Sequence, residues 1–459
     1  MALCQTLVIA GTHSGAGKTS VTLALVRALA RRGFKTQTFK VGPDFLDPTY
    51  LALASGRPCY SLDGWMAGHD YCRRLFARAT ADADCALVEG VMGLFDGADA
   101  QSDEGSTAEI ARLLNAPVIL VVNVHGMGRS LAALVKGYTT FQTNLRFTGI
   151  VANRCGSECH AALLSDSLQA TGLPPLLGAI PREAFPELAS RHLGLVTADR
   201  GHLPESLLDA LADALEQNLS LETLFPKMPT KAKKTIGEPE FAPSHSRLRL
   251  GVARDAAFHF YYQDLFDVLR TSGCGVVFFS PLDDRRLPEG LSGLYLGGGY
   301  PELYAERLAE NGEMLAAIRA YADSGRPLYA ECGGLMYLSR GIEADGSFYP
   351  FAGVLPARTQ MLPCRKALGY VEVVLTEDSL WGCRGDVLRG HEFHYSELID
   401  DPISDPAWRK VYSLRRGRTD AVETEGYQNG AILASYTHLH YASRPAAVAH
   451  FLEQCGGTP

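Results

Sequence analysis

The stretch "LVIAGTHSGAGKTS", residues 7–20, decides the fold of the first half of the chain. Four apolar residues, Leu7 to Ala10, run into a loop carrying Gly11, Gly15 and Gly17, and an apolar-periodic run follows from Ser20 to Arg32. Strand, glycine loop and helix in that order turn backbone N–H groups inward around a phosphate chain. Lys18 is expected to reach the β- and γ-phosphates and the Thr19 hydroxyl to hold Mg²⁺. The helix beginning near Ser20 adds the positive end of its dipole. The usual spacing, G-x-x-x-x-G-K-[ST], would put glycine at position 12. Here Thr12 stands there and Gly11 precedes it, so the loop reads one residue long.

Working outward, short apolar runs alternate with helical patterns. Leu7–Ala10, Cys85–Val88, Val118–Asn123 and Gly149–Asn153 read as buried parallel strands, and Ser20–Arg32 and Thr107–Leu114 as helices. That alternation predicts an α/β fold, a mostly parallel sheet with helices on both faces. Ligands of such sheets bind at the carboxyl ends of the strands. The acidic residues expected there are therefore candidates. Glu89 follows a strand in "CALVEGVMGLFDG", with Asp96 shortly after, and Asp44 and Asp47 lie in "FKVGPDFLDPTY". Asp44 and Glu89 are the metal-side candidates; Asp47 and Asp96 are candidates for the substrate and the reacting phosphoryl group. Residues 226–247, "PKMPTKAKKTIGEPEFAPSHSR", are rich in Pro and Lys and lack periodicity, which predicts a linker between domains at 1–225 and 248–459. A second α/β pattern follows it. Leu248–Ala253, Gly275–Ser280, Gly293–Leu296 and Pro327–Ala330 read as strands, and Tyr261–Thr271 and Ala305–Ser324 as helices. Beyond about residue 350 the pattern is more β-like.

A chain of 459 residues is too long for one ordinary core. With 46% hydrophobic and 20% charged residues it has the composition of a globular protein. A formal net charge of −8 argues against a coat for nucleic acid or an anionic membrane. The eleven cysteines are irregularly spaced, and the N-terminus has no cationic segment before its apolar run. Reduced thiols and a cytoplasmic location are expected.

The second half carries its own constellation. "LYLGGGYPELY", residues 294–304, is a strand ending in glycines, and the N–H groups of Gly298 and Gly299 could form an oxyanion hole. "LYAECGGLMYL", residues 328–338, places Cys332 between a strand and a helix, with two glycines behind it. "ASYTHLHYA" supplies His438. A thiol, an imidazole and a glycine oxyanion loop describe acyl transfer through a thioester. Two further patterns in the chain read as decoys. His391 and His394 in "HEFH" stand three apart, not the four of the zinc helix motif. "CGSECH", residues 155–160, lacks a second ligand cluster.

Together "AECGGLMYL", "GGGYPELY" and "SYTHLH" resemble the class I glutamine amidotransferase domain of the cobyrinic and cobyric acid synthases. "GTHSGAGKTS", "FKVGPDFLDP" and "LVEGVMGLFDG" resemble their ATP-dependent domain, which is related to dethiobiotin synthetase and shares the long loop. "KVGPDFLDP" and "RGHEFHYS" point to the cobyrinic acid a,c-diamide synthase family. The resemblance spans essentially the whole chain. It implies a P-loop NTPase-like domain followed by a flavodoxin-like amidotransferase domain. It also implies ATP, Mg²⁺, L-glutamine and a tetrapyrrole polycarboxylate as ligands, with amidation through an acyl phosphate and ammonia released at Cys332. It makes Gly11, Thr12, Gly15, Gly17, Lys18, Thr19, Ser20 and Asn153 ATP contacts. Many class I amidotransferases carry His-Pro-Glu, whereas this chain has His438-Leu439-His440, so the group orienting His438 is open. Ni-sirohydrochlorin and hydrogenobyrinate a,c-diamide synthases share the pattern. A partitioning-type switch ATPase with an inert appended domain is the reading from another class. No nucleic-acid or membrane partner is expected, and a homodimer is left open.

Overall fold

The computed structural model describes residues 4–188, 190–191, 194–195, 203–225, 248–417 and 422–456. The chain divides into two compact units, Met1–Gly237 and Glu238–Pro459. The linker expected at 226–247 lies outside the described residues.

The first unit is built on seven parallel strands: β1 (Gln5–Gly11), β2 (Thr36–Val41), β3 (Tyr60–Leu62), β4 (Cys85–Glu89), β5 (Val118–Asn123), β6 (Phe147–Cys155) and β7 (Leu176–Pro181). Their order across the sheet is β3-β2-β4-β1-β5-β6-β7. The central strands are apolar runs because helices cover both their faces. Val8, Ile9, Val88 and Ile119 are fully buried. The helix α1 (Lys18–Arg31) starts two residues earlier than the apolar period suggested, since Lys18 and Thr19 form its first turn. It is tied by Arg27 and Arg31 to Asp209 and Asp213 of a later helix, Glu205–Glu216. Because the strands are parallel, the loops after β1, β2 and β4 open on one edge of the sheet. Those loops, with the strand end before them or the helix start after them, carry the phosphate-loop residues and the four acidic candidates.

The second unit contains a ten-stranded sheet. In chain order its strands are β8 (Leu248–Ala253), β9 (Cys274–Phe279), β10 (Gly293–Leu296), β11 (Leu328–Glu331), β12 (Ala367–Leu375), β13 (Val387–His394), β14 (Arg409–Arg416), β15 (Val422–Asn429), β16 (Ile432–Ser435) and β17 (His438–His440). They are ordered β9-β8-β10-β11-β16-β15-β14-β12-β13-β17. The first five are parallel, as a flavodoxin-like core requires. The remainder is antiparallel and accounts for the β-like sequence after residue 350.

One expected helix is interrupted. Ala305–Ser324 forms two helices, Ala305–Glu310 and Gly312–Asp323, separated by Asn311. The Asn311 side chain accepts from Met314 N and donates to the carbonyls of Pro281 and Asp284. An asparagine that can cap a helix offers the backbone an alternative to continuing one. All eleven cysteines are free thiols. Among the described residues no helix is long and apolar enough to cross a membrane.

Candidate active site

On the first unit, the loop between β1 and α1 holds Lys18 against the sheet. Its ammonium donates to the carbonyls of His13 (3.3 Å) and Met92 (2.5 Å). Lys18 thus bridges the loop after β1 and the loop after β4. Burial, and next the charge of Lys40, lower its pKa to about 8. The Thr19 hydroxyl donates to Glu89 Oε1 at 2.8 Å. Glu89 is fully buried, and its other oxygen, Oε2, has no hydrogen-bond partner among the described residues.

The acidic candidates converge on a cation that the sequence reading passed over. Lys40, near the end of β2 and 2% exposed, donates to Asp47 Oδ2 (2.5 Å), Glu89 Oε1 (2.9 Å) and Gly90 O (3.2 Å). Asp44 Oδ2 lies 3.7 Å from the same ammonium. Burial opposes the charge on Lys40, but Asp47, Glu89 and Asp44 outweigh it and hold its pKa well above the ordinary lysine value. Burial would likewise raise Asp47; the Lys40 ammonium keeps it below the usual carboxylate range. Burial and the neighbouring Asp47 push Asp44 up to about 7, and burial raises Glu89. Asp44 Oδ1 also accepts from Leu46 N and Asp47 N, which fixes the turn before the helix Asp47–Ser55. A lysine in a strand whose every residue is buried was the available signal. It was masked because "TQTFKV" is too polar to read as an interior strand.

The remaining candidates of this unit flank the loop. Asp96 Oδ2 accepts from Gly93 N at 2.8 Å, bracing the turn after Met92. Asn153, at 8% exposure, donates to Ala16 O at 3.0 Å and so supports the phosphate loop from β6, two strands away from β1. Gly11 ends β1, and Thr12, Gly15, Gly17 and Ser20 lie in the loop or the first turn of α1. In "CGSECH" the imidazole of His160 is engaged by Cys155 Sγ, Gly156 N and Met127 O, a local structural arrangement.

On the second unit, β11 is buried throughout and ends in Glu331, and Cys332 follows at the N-terminus of the helix Gly333–Leu338. Cys332 has φ 46° and ψ −101°, a conformation that side chains disfavour. Such strain gathers at functional sites and suits a nucleophile held on a sharp strand-to-helix turn. The elbow is fastened by Cys332 N donating to Ser435 O at 2.7 Å. The glycines are required by close approach. A Cβ at position 334 would sit 2.1 Å from Leu296 O, and one at 298 would sit 2.4 Å from His438 Cε1. Gly298 and Gly299 pair with Phe260 and Phe258, while Gly297 N donates to the Tyr261 hydroxyl at 2.9 Å.

His438 opens β17 and is 1% exposed. Its ring stacks on His391, with centroids 5.0 Å apart and planes at 16°. Its Nδ1 lies 3.7 Å from Glu331 Oε2. Burial disfavours the imidazolium, but Cys332 and then Glu331 outweigh it and push the His438 pKa up to about 10. An imidazolium beside a sulfur favours the nucleophilic thiolate. Burial, with His438 and His440 nearby, drives His391 well below the ordinary imidazole value, so it stacks on His438 as a neutral ring. His394 is engaged elsewhere, by Ser396 O at 2.7 Å and the Tyr436 ring at 4.2 Å. His391 and His394 therefore serve different neighbours and do not converge.

The first unit thus carries a nucleotide-type loop beside a buried lysine–carboxylate cluster, and the second a strained cysteine with a histidine. This is the outline of a glutamine-dependent ligase. Residues 7–196 match the CobQ/CobB/MinD/ParA nucleotide binding domain family, and residues 249–446 the CobB/CobQ-like glutamine amidotransferase domain family. The chain is 55% identical to the cobyrinate a,c-diamide synthase of Syntrophotalea carbinolica, over 99% of both chains. It is 42% identical to the protein of that name from Leptospira interrogans serogroup Icterohaemorrhagiae serovar copenhageni and 41% identical to that of Synechococcus sp., over 98% of each chain. The chain belongs to the cobyrinate a,c-diamide synthase family. It is a ligase with a glutamine amidotransferase domain, and its nucleotide-binding domain fits ATP as a substrate.

Proposed function

We propose that this protein converts the a and c side-chain carboxylates of cobyrinate to carboxamides, using ATP and the amide nitrogen of L-glutamine. The observation that carries the reading is identity over the whole chain to relatives of that name, with both chemical centres present in one polypeptide. The ligase half occupies 1–225 and the glutaminase half 248–459.

In the glutaminase half the Cys332 sulfur attacks the glutamine carboxamide carbon. His438 delivers the proton that lets ammonia leave, and Gly298 and Gly299 donate to the developing oxyanion. Water then releases glutamate from the thioester. In the ligase half the γ-phosphoryl group passes from ATP to a substrate carboxylate. Ammonia displaces phosphate from the resulting acyl phosphate. Phosphoryl transfer needs positioning and charge neutralisation above all. Lys18 and Lys40 supply two cations at the strand edge, and Asp47 and Asp96 fix the loops that meet the substrate. Thr19, Glu89 and Asp44 would offer oxygen donors of the kind Mg²⁺ takes together with phosphate oxygens and water; in support, Thr19 bonds Glu89, and Glu89 Oε2 lacks a partner among the described residues. When bound, the ion would neutralise phosphate charge. The reaction belongs to the cytoplasm, where Cys332 stays reduced.

Product mass spectrometry tests the reading. With ATP and glutamine, cobyrinate should gain two carboxamides, while hydrogenobyrinate and Ni-sirohydrochlorin offered in parallel should remain unchanged. Preferential amidation of either competitor would overturn the substrate assignment.

A variant tests the lysine cluster. Lys40→Met should destabilise the first unit by about 3–5 kcal/mol, because it leaves buried carboxylates without their cation. It should also abolish amidation. The sign with pH follows from Asp47, whose pKa is lowered in the folded chain. The stability from that shift is present above the unfolded carboxylate pKa of about 3.9 and lost as pH falls through the folded value. The gap between parent and variant in denaturant unfolding should therefore narrow in acid. A constant gap would mean that Lys40 acts by packing alone.

A further inference from the structure

Position 440, where a carboxylate two residues past the histidine would be sought, is itself histidine. The second unit nevertheless places a buried carboxylate against the His438 ring. Glu331, 4% exposed, ends the strand that delivers Cys332. Its Oε2 is 3.7 Å from His438 Nδ1 and accepts from the Tyr295 hydroxyl at 2.5 Å. Its Oε1 accepts from the Tyr329 hydroxyl at 2.8 Å and from Leu439 N at 3.2 Å. The carboxylate is thus clamped by two tyrosines on adjacent strands and bonded to the backbone of the residue after His438. Both His438 and Glu331 are shielded from water, so their attraction is little screened.

We infer that Glu331 is the positioning residue of the glutaminase site, supplying from the nucleophile's own strand the carboxylate that orients the His438 imidazolium. The inference rests on the reading of Cys332 as glutaminase nucleophile and deepens it. The arrangement is compact: one strand end carries the orienting acid and the nucleophile on consecutive residues, and the histidine meets both from β17. Glu331 contacts no reacting atom. It acts by fixing the orientation of the ring toward Cys332 and by favouring the charged form of the ring. The groups facing His438 are Cys332 and Glu331 from the elbow, neutral His391 stacked on it, His394 of β13, and the Phe260 ring. Glu331 is the carboxylate among them, so its removal should have a distinct signature.

The test is the pH profile of kcat/KM for glutamine hydrolysis by the full chain, whose alkaline limb reports loss of the imidazolium proton. In Glu331→Gln the limb should move down by about one to three pH units, the range for losing an adjacent opposite charge. Its kcat should fall at least tenfold, with KM for glutamine little changed. In Glu331→Asp, which keeps the charge at a longer reach, the limb should fall between those of parent and Gln variant. Ammonium-driven amidation should persist in both. If Glu331→Gln fails to fold, the Asp variant decides alone. An alkaline limb that coincides with the parent's in the folded variants overturns the inference and leaves Glu331 as a structural clamp. Absence of glutamine hydrolysis by the parent overturns it together with the amidotransferase reading beneath it.

Discussion

Cys332→Ala should reduce glutamine-driven amidation by about 10⁴-fold or more, the scale on which a covalent nucleophile's loss is felt. Saturating ammonium should still support amidation at a rate close to the parent's with ammonium. The argument rests on separation of function. Cys332 sits on a strained elbow of the second unit, beside a histidine whose pKa its charge raises. The phosphate loop and the Lys40 cluster belong to the first unit. Free ammonia enters the ligase reaction after the step that Cys332 performs. Steady-state assays with the two nitrogen sources in parallel measure the difference. Equal loss with both would show that the two chemistries do not divide as proposed. The small side chain should be tolerated at the elbow, since the site is fastened by the backbone bond from residue 332 to Ser435 O.

Lys18→Ala should abolish amidation with either nitrogen donor, by about 10³-fold or more, while leaving glutamine hydrolysis measurable. Removing one electrostatic stabiliser costs on the order of 10²–10³ in rate, and Lys18 also braces two loops. Its ammonium spans the carbonyls of His13 and Met92, so its loss frees the loop after β4 that carries Asp96. ATP hydrolysis and diamide formation, followed separately, check this. Near-parent rates at saturating ATP would mean that the phosphates lie elsewhere on the sheet. Lys18→Arg is not a neutral control. A planar guanidinium does not reproduce the compact point charge that donates to the carbonyls of His13 and Met92.

Much of the fold was legible because its local signals agree. The apolar runs at Leu7, Cys85 and Val118 lie within observed strands, since parallel strands covered on both faces have no polar side to blur the pattern. β2 was legible only as the unspecified strand before "GPDFLDP", because Thr36, Gln37, Thr38 and Lys40 are buried polar residues. The helix break at Asn311 was invisible because its decisive partners, the carbonyls of Pro281 and Asp284, are distant in sequence.

The candidate site divides along the same line. Sequence alone determined the residues whose neighbours in the chain disclose them: Lys18 and Thr19 after a glycine loop, Cys332 between a strand and two glycines, Glu89 at the end of an apolar run. Such signals are local, because the backbone geometry that makes a loop or an elbow is set by adjacent residues. Tertiary structure decided which groups meet. It placed Lys40 among Asp44 and Asp47, which follow β2, and Glu89, which ends β4. It brought β17, at one edge of the sheet, to present His438 to a cysteine on β11's end, and it gave that histidine Glu331 as its carboxylate. Lys40, Asp44 and Asp47 share one short stretch, but their burial against Glu89, and the meeting of Glu331 with His438, join elements far apart in sequence and are created by sheet order.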